Sequence, residues 1–287
     1  PDGVFNVVTG LGPEAGRALG LHDDVDVIAF TGSTATGKRF MEYSGQSNLK
    51  AVWPECGGKS ANLVFADNAD LAQVAARAAG GIFHCSGQVC SANSRLLVHR
   101  SIADELTTLI VAEAERLRVG DPMADDTELG PLVGVRHAER VRGFIRRGTE
   151  RATILTGGAD APAGMLGGGA AFVAPTILSG VAPDSELFAE EVFGPVLGIT
   201  VFDDEDEAIA LANRSRYGLA ASVFTDDLRR AHRVSARLVA GTVTINGVDA
   251  VDVTVPFGGF KQSGFGRDLS LHALDKYTGL TTRWFEA

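Results

Sequence analysis

Asp26-Val27-Ile28-Ala29-Phe30 runs directly into Thr31-Gly32-Ser33-Thr34-Ala35-Thr36-Gly37-Lys38-Arg39. The apolar run reads as a buried strand, and the Gly-Ser turn opens a helix predicted to reach about Tyr43. A second apolar run, Lys50 to Trp53, follows and ends at Glu55. Strand, helix and strand in that order build a parallel sheet, because parallel neighbours need a crossover between them. Outward from this unit the alternation continues. The patterns predict strands at 4–9, 61–65, 95–98, 153–156, 172–178, 196–202, 220–225 and 241–246. Helices are predicted at 14–20, 71–82, 102–118, 137–149, 203–213, 226–238 and 270–277, with Ser101-Ile102-Ala103-Asp104 as a capping box. The glycine-rich stretch 157–169 is predicted to be a surface connection. The fold class is α/β, with parallel open sheets and helices on both faces. In such sheets ligands collect at the carboxyl ends of the strands.

Two glycine patterns invite a phosphate reading. In Gly10-Leu11-Gly12-Pro13 the next glycine, Gly16, comes one place late for a dinucleotide fingerprint, and a plain strand-turn-helix fits better. Gly32 to Gly37-Lys38 has phosphate-loop spacing, but Arg39 stands where a magnesium-holding Ser or Thr is needed. That disfavours a nucleoside triphosphatase. The helix N-terminus at Gly32 and Ser33 can still offer backbone N–H groups to a diphosphate.

The chemistry concentrates in Gly87-Gln88-Val89-Cys90-Ser91 and in Glu55-Cys56-Gly57-Gly58-Lys59. Cys90 follows a glycine turn, is predicted to sit at a loop-to-helix junction, and has Arg95 nearby. N–H groups and positive charge would lower the pKa of its thiol. Cys85 and Cys56 read as packing residues. The three cysteines lack zinc spacing, so no metal is expected, and no histidine lies at a spacing that pairs with Cys90. Glu55 ends an apolar strand ahead of two glycines. A carboxylate half-buried there would have a raised pKa and would suit general-base work.

With 287 residues, 45% of them hydrophobic, the chain can bury a substantial core. Its net charge of −10 argues against a nucleic-acid surface. No apolar run is long enough to span a membrane. Three cysteines and no leader-like start imply a reducing, cytoplasmic setting. The chain opens at Pro1-Asp2-Gly3 and is read as the later portion of a longer protein.

Five stretches in order resemble the NAD(P)-dependent aldehyde dehydrogenase superfamily: Phe30 to Ser33, Glu55 to Lys59, Gly87 to Cys90, Glu190-Glu191-Val192-Phe193-Gly194-Pro195, and Pro256 to Gly264. Tyr43 to Lys50, Ser101 to Glu105, Asp252 to Pro256 and Ser270 to Leu274 are similar to bacterial gamma-glutamyl-gamma-aminobutyraldehyde dehydrogenases of putrescine breakdown. The resemblance implies a thiohemiacetal and then a thioester on Cys90, with Glu55 activating the hydrolytic water. It implies NAD or NADP as cofactor, with Gly32 and Ser33 at the diphosphate, Glu191 at the nicotinamide ribose and Phe193 beside the nicotinamide. Asn246 would support the catalytic region, and Asp252 would lie near the mouth for an aldehyde with an amino or amide tail. The implied layout is 1–57 cofactor domain, 58–262 catalytic domain, 263–279 return segment and 280–287 the start of an oligomerisation strand joining a homo-oligomer. The oxyanion-hole Asn is expected upstream of this chain.

Some positions depart from the family pattern. Pro54 replaces a usual Leu and could re-aim Glu55, Ala35 replaces a common Glu, and Cys85 replaces a frequent Asn. Gly279 stands where a second Glu is frequent. Two other readings remain: a non-catalytic binding module or inactive fragment, and a phosphate-loop ATPase built on Lys38.

Overall fold

Val27–Thr31 (β1) and Ala51–Glu55 (β2) pair in parallel, with Thr31 opposite Glu55 at their carboxyl ends. They belong to one of two compact units in the computed structural model, Pro1–Cys56 with Asp252–Ala287; the other is Gly57–Val251. The structure describes residues 1–162 and 169–286, so part of the glycine-rich 157–169 connection, 163–168, lies outside the described residues.

In the first unit the crossover helix is Thr34–Gln46 (α2), preceded by the shorter Arg17–Leu21 (α1). Ser33 caps α2, its side chain accepting from the Thr36 N–H at 3.3 Å. The buried Lys50 ammonium donates to the Gly20 carbonyl and the Ser47 hydroxyl, which ties the end of α1 to the end of α2. Along the other edge of β2, Phe265 N–H donates to Pro54 O and Cys56 N–H to Ser263 O. The strand expected at 4–9 does not form. Val4, Phe5, Val7 and Val8 are exposed, and no described strand pairs with them. An apolar run alone cannot make a strand without a neighbour to satisfy its backbone. The 270–277 helix is a 3₁₀ segment, Leu271–Lys276.

The second unit holds a seven-stranded sheet. Its strands are Ala61–Val64 (β3), Arg95–His99 (β4), Thr153–Thr156 (β5), Thr176–Ser179 (β6), Val196–Phe202 (β7), Ala220–Phe224 (β9) and Thr242–Ile245 (β10), with a two-residue strand Tyr217–Gly218 (β8) outside it. The order is β10-β9-β3-β4-β7-β6-β5. All pairs are parallel except β5–β6, which is antiparallel, so the wholly parallel expectation fails at one edge. Helices Leu71–Phe83 (α3) and Ala103–Arg116 (α4) cover one face through Val74, Ala78, Ile82, Leu106 and Ile110. Val135–Gly148 (α5), Glu186–Ala189 (α6), Glu205–Asn213 (α7) and Leu228–Ser235 (α8) complete the unit. The second core, on the opposite face, is built by Val141 and Ile145 of α5, Phe188 of α6, Ile209 of α7 and Val234 of α8. β6 begins only after Pro175, which has no N–H for a ladder. Ser101 is not a cap: His99 Nδ1 accepts the Ser101 N–H, and a 3₁₀ turn, Arg100–Ile102, intervenes before α4. No helix of the described residues is long and apolar enough to cross a membrane.

Candidate active site

Helix α3 ends at Phe83, and the chain then turns left-handed. Cys85 has φ 49°, Ser86 φ 55° and Gly87 φ 70°. Side-chain-bearing residues pay about 1–2 kcal/mol each in this region, so the turn needs anchors. Ser86 Oγ donates to Gly130 O at 3.0 Å, and Gln88 Oε1 accepts the Val133 N–H at 2.8 Å. Gly87 packs so closely that a Cβ there would lie 2.2 Å from the Gly194 carbonyl oxygen. A second turn, Ala92 N–H to Val89 O, carries Cys90, which is half-buried. β4 follows, not a helix. The predicted loop-to-helix junction is therefore absent, and with it the helix-dipole argument for the thiol. Cys85 is exposed, contrary to its reading as a packing residue, and Cys56 is buried.

Arg95 does not turn toward Cys90. It is buried, with Nε donating to Lys59 O and the two terminal nitrogens to Leu211 O and Ala212 O. Its guanidinium stacks 4.8 Å from the Phe188 ring centroid. It is a structural cation that caps the end of α7.

Below Cys90 lies the Gly57–Lys59 backbone. The Gly58 N–H donates to Glu191 Oε1 at 3.1 Å. A Cβ on Gly58 would lie 2.4 Å from the Cys90 carbonyl oxygen, and one on Gly57 would lie 2.1 Å from Glu191 Oε2. The two glycines thus form a cradle between the Cys90 segment and the Glu191 carboxylate. Burial raises the pKa of Glu191, while the Gly58 N–H, Lys59 and Arg140 oppose that rise. Phe193 has φ 58°, and its carbonyl faces His137 Nε2 at 2.6 Å. The Cys90 turn, Gly58 and Glu191–Phe193 precede β4, β3 and β7 respectively, so they gather at the amino ends of these parallel strands. The carboxyl-end expectation fails for this unit.

In the first unit Gly32 and Glu55 do meet at carboxyl ends. The Gly32 N–H donates to the Glu55 carbonyl at 3.0 Å. That N–H is committed, so the donors left for an anion are those of the first turn of α2 behind Ser33. The Glu55 carboxyl is buried, and its Oε1 has no hydrogen-bond partner. Burial chiefly, then the Asp268 charge, push its pKa up to about 7, while Lys276 and Arg267 pull it back. Lys276 pairs with Asp268. Pro54 leaves β2 in register with β1, opposite Phe30. Asp252 is exposed and closes a turn on itself, accepting from Thr254 N–H and Oγ1; those bonds lower its pKa. Gly279 touches nothing within 4 Å of where a Cβ would stand.

Asn246 follows the carboxyl end of β10, the opposite end of the sheet from Cys90. Its amide clamps Thr225, accepting from its N–H and donating to its C=O, both at 2.9 Å. Sequence reasoning did not single out Lys59, His137 or Arg140. Lys59 is buried beside Arg95, and burial first and then Arg95 lower its pKa to about 7. Arg140 donates to the carbonyls of Val192 and Glu191. Spacing along α5 puts His137 and Arg140 on one face, but their partners are carbonyls, which leave no side-chain signature. Among the described residues no group of three or more His, Cys, Asp or Glu side chains could hold a metal.

Within the second unit a half-buried thiol and a glycine cradle beside a carboxylate have the chemistry for a covalent step, and within the first a buried carboxyl with a pKa near 7 has that of a base. In the second unit the cradle, filled by any Cβ, leaves the Glu191 carboxylate suited to ribose hydroxyls; in the first, taken by itself, the N-terminal turn of α2 is suited to a diphosphate. The aldehyde dehydrogenase family profile matches residues 1–282. The NADP/NAD-dependent aldehyde dehydrogenase PuuC of Escherichia coli is 53% identical over 284 residues, which is 99% of this chain and 56% of that protein. The aldehyde dehydrogenase KauB from Pseudomonas aeruginosa superposes with a TM-score of 0.95 at 46% identity, over 99% of this chain and 57% of its own. The gamma-glutamyl-gamma-aminobutyraldehyde dehydrogenase from Burkholderia cenocepacia gives 0.92 at 51% identity, over 96% and 55%. The chain thus spans little more than half the length of these relatives.

Proposed function

This chain belongs to the aldehyde dehydrogenase family, and on that premise we propose that it carries the catalytic residues for oxidising an aldehyde to a carboxylic acid with NAD or NADP. The observation that carries the reading is Glu55: a buried carboxyl with an unpartnered oxygen and a pKa near 7. Burying such a group without a partner is costly, and its proton affinity suits a base working at neutral pH.

In this reading the Cys90 thiolate attacks the aldehyde carbon, forming a C–S bond and an alkoxide that the Cys90 backbone N–H stabilises. A nicotinamide cofactor, when bound, would supply the hydride acceptor. Ser33 and the first turn of α2 would hold its diphosphate, Glu191 would take the ribose hydroxyls, and Phe193 would pack by the ring. The thioester left on Cys90 is hydrolysed when Glu55 takes a proton from water; the new C–O bond displaces the thiolate and frees the acid.

For the substrate we favour an aldehyde with an amino or amide tail, as in the name of the Burkholderia relative. Asp252, exposed and held ionised by Thr254, would meet such a tail. The tail of the chain after 280 would pair with a second copy. The test is aldehyde-dependent reduction of NAD+ or NADP+ by wild type, Cys90→Ala and Glu55→Gln. Loss of turnover in both variants, with a stoichiometric burst of reduced cofactor retained in Glu55→Gln, supports the roles. Full turnover in Cys90→Ala would end the reading.

A further inference from the structure

We propose that the segment from Gly130 to Arg140 is a staple that fixes the Cys90 turn relative to the Glu191–Phe193 segment, with Gln88 and Arg140 as its positioning residues. The proposal rests on the function proposed above.

The staple has two arms. On one side Gly130 accepts from Ser86 Oγ, and the Val133 N–H donates to Gln88 Oε1. On the other, Arg140 donates to Val192 O at 3.0 Å and to Glu191 O at 2.9 Å, and His137 Nε2 faces Phe193 O. Three consecutive carbonyls are therefore held by two side chains one helical turn apart. Gly194, next in line, packs on Gly87 of the Cys90 turn, closing the loop of contacts.

Both clasped segments are conformationally expensive. Cys85 and Ser86 on one side and Phe193 on the other hold positive φ without being glycine. Such residues persist only where their surroundings over-determine them. The anchors that do so come from one stretch of chain, continuous from the 130–133 loop into α5. Guanidinium-to-carbonyl bonds are charge-assisted and so stronger than neutral ones. A change at Arg140, whose bonds above go to Glu191 and Val192, should therefore be felt at Cys90.

The test reads Cys90 directly and needs neither aldehyde nor cofactor. The rate of iodoacetamide labelling at Cys90 is followed by peptide mass spectrometry against pH, for the chain and for Gln88→Ala, Arg140→Met and the double variant. Each single change is expected to slow Cys90 labelling by about fivefold and to move its pH midpoint, a size typical of coupled neighbours. The double variant should fall short of the product of the two, while Arg140→Lys, with one ammonium for two carbonyls, recovers only part of the rate. Labelling of Cys56, which is buried and lies outside this turn, serves as an internal control for general loosening. Unchanged Cys90 rates with only a lower melting temperature would overturn the staple, as would strictly multiplicative effects. A wild-type chain whose Cys90 labels no faster than Cys85 would instead strike at the dehydrogenase reading, so the two failures are distinguishable.

Discussion

Gly58 gives its N–H to Glu191 Oε1 at 3.1 Å while the space a Cβ would take is filled by the Cys90 carbonyl oxygen, 2.4 Å away. One residue thus touches the nucleophile segment on one side and the proposed cofactor-side carboxylate on the other. Both contacts are to groups that cannot retreat freely: one is backbone, the other a half-buried carboxylate.

Gly58→Ala should therefore be poorly tolerated. Inserting a methyl against backbone costs about 1–3 kcal/mol, and the shift falls on Cys90 and Glu191 together. Urea unfolding should show the loss, and Cys90 alkylation should change with it. A variant as stable as wild type, with unaltered labelling, would mean that the Cys90 turn gives way easily.

Glu55 predicts a pH dependence of stability. Its pKa is near 7 in the fold against 4.5 for the free group. Between those values the folded state binds more protons than the unfolded state, so stability falls as pH rises. The penalty is absent below about 4.5 and complete above about 7, on the order of 3 kcal/mol. Urea titrations at pH 5 and pH 8 should show this fall in wild type and a flatter response in Glu55→Gln. The same group predicts that deacylation accelerates as pH rises through 7, because the base form is the ionised one.

Arg95 makes three charge-assisted bonds to carbonyls from inside the core. Arg95→Met removes all of them; the Leu211 carbonyl keeps the Arg214 N–H, but those of Lys59 and Ala212 lose this donor. At about 1–3 kcal/mol for each of these two groups, the loss should be about 2–6 kcal/mol, and the second unit should unfold at lower urea. Arg95→Lys should recover only part, since an ammonium cannot reproduce the planar fork. Cys90 labelling rates corrected for folded fraction should stay near wild type, because Arg95 points away from that turn.

The strands of the sheet were legible because each pairs in the interior: β3, β4, β7 and β9 are apolar runs with neighbours on both sides. The run at 4–9 carries the same pattern and forms no strand, because pattern does not supply a partner. Glu55 and Cys90 stand out in the sequence by their flanking glycines, and the structure buries the first and half-buries the second. The turn that carries Cys90 was not, since left-handed φ at Cys85 and Ser86 follows from anchors at Gly130 and Val133, far along the chain. Arg95 shows the converse error: proximity in sequence suggested an electrostatic partner for Cys90, but alternation in β4 sends the side chain to the opposite task.

Asn246, expected to support the catalytic region, offers a test of how far its structural role reaches. It sits at φ 51° and bonds Thr225 twice through its amide. Asn246→Ala loses both bonds, at about 0.5–1.5 kcal/mol each, and also places a methyl-bearing residue at positive φ, worth about 1 kcal/mol more. Asn246→Gly loses the bonds but not the backbone freedom. Urea unfolding should therefore rank wild type above Gly and Gly above Ala, with Ala down by about 2–4 kcal/mol on summing those terms. Thr225 and Asn246 lie at the carboxyl ends of β9 and β10, and the tie from this segment to the Cys90 turn runs through Asp249, which accepts from Ser91 Oγ and is untouched by either change; both variants should therefore keep the wild-type Cys90 alkylation rate. A fall in that rate in Asn246→Gly, out of proportion to its stability, would show that the Thr225 clamp reaches the nucleophile after all.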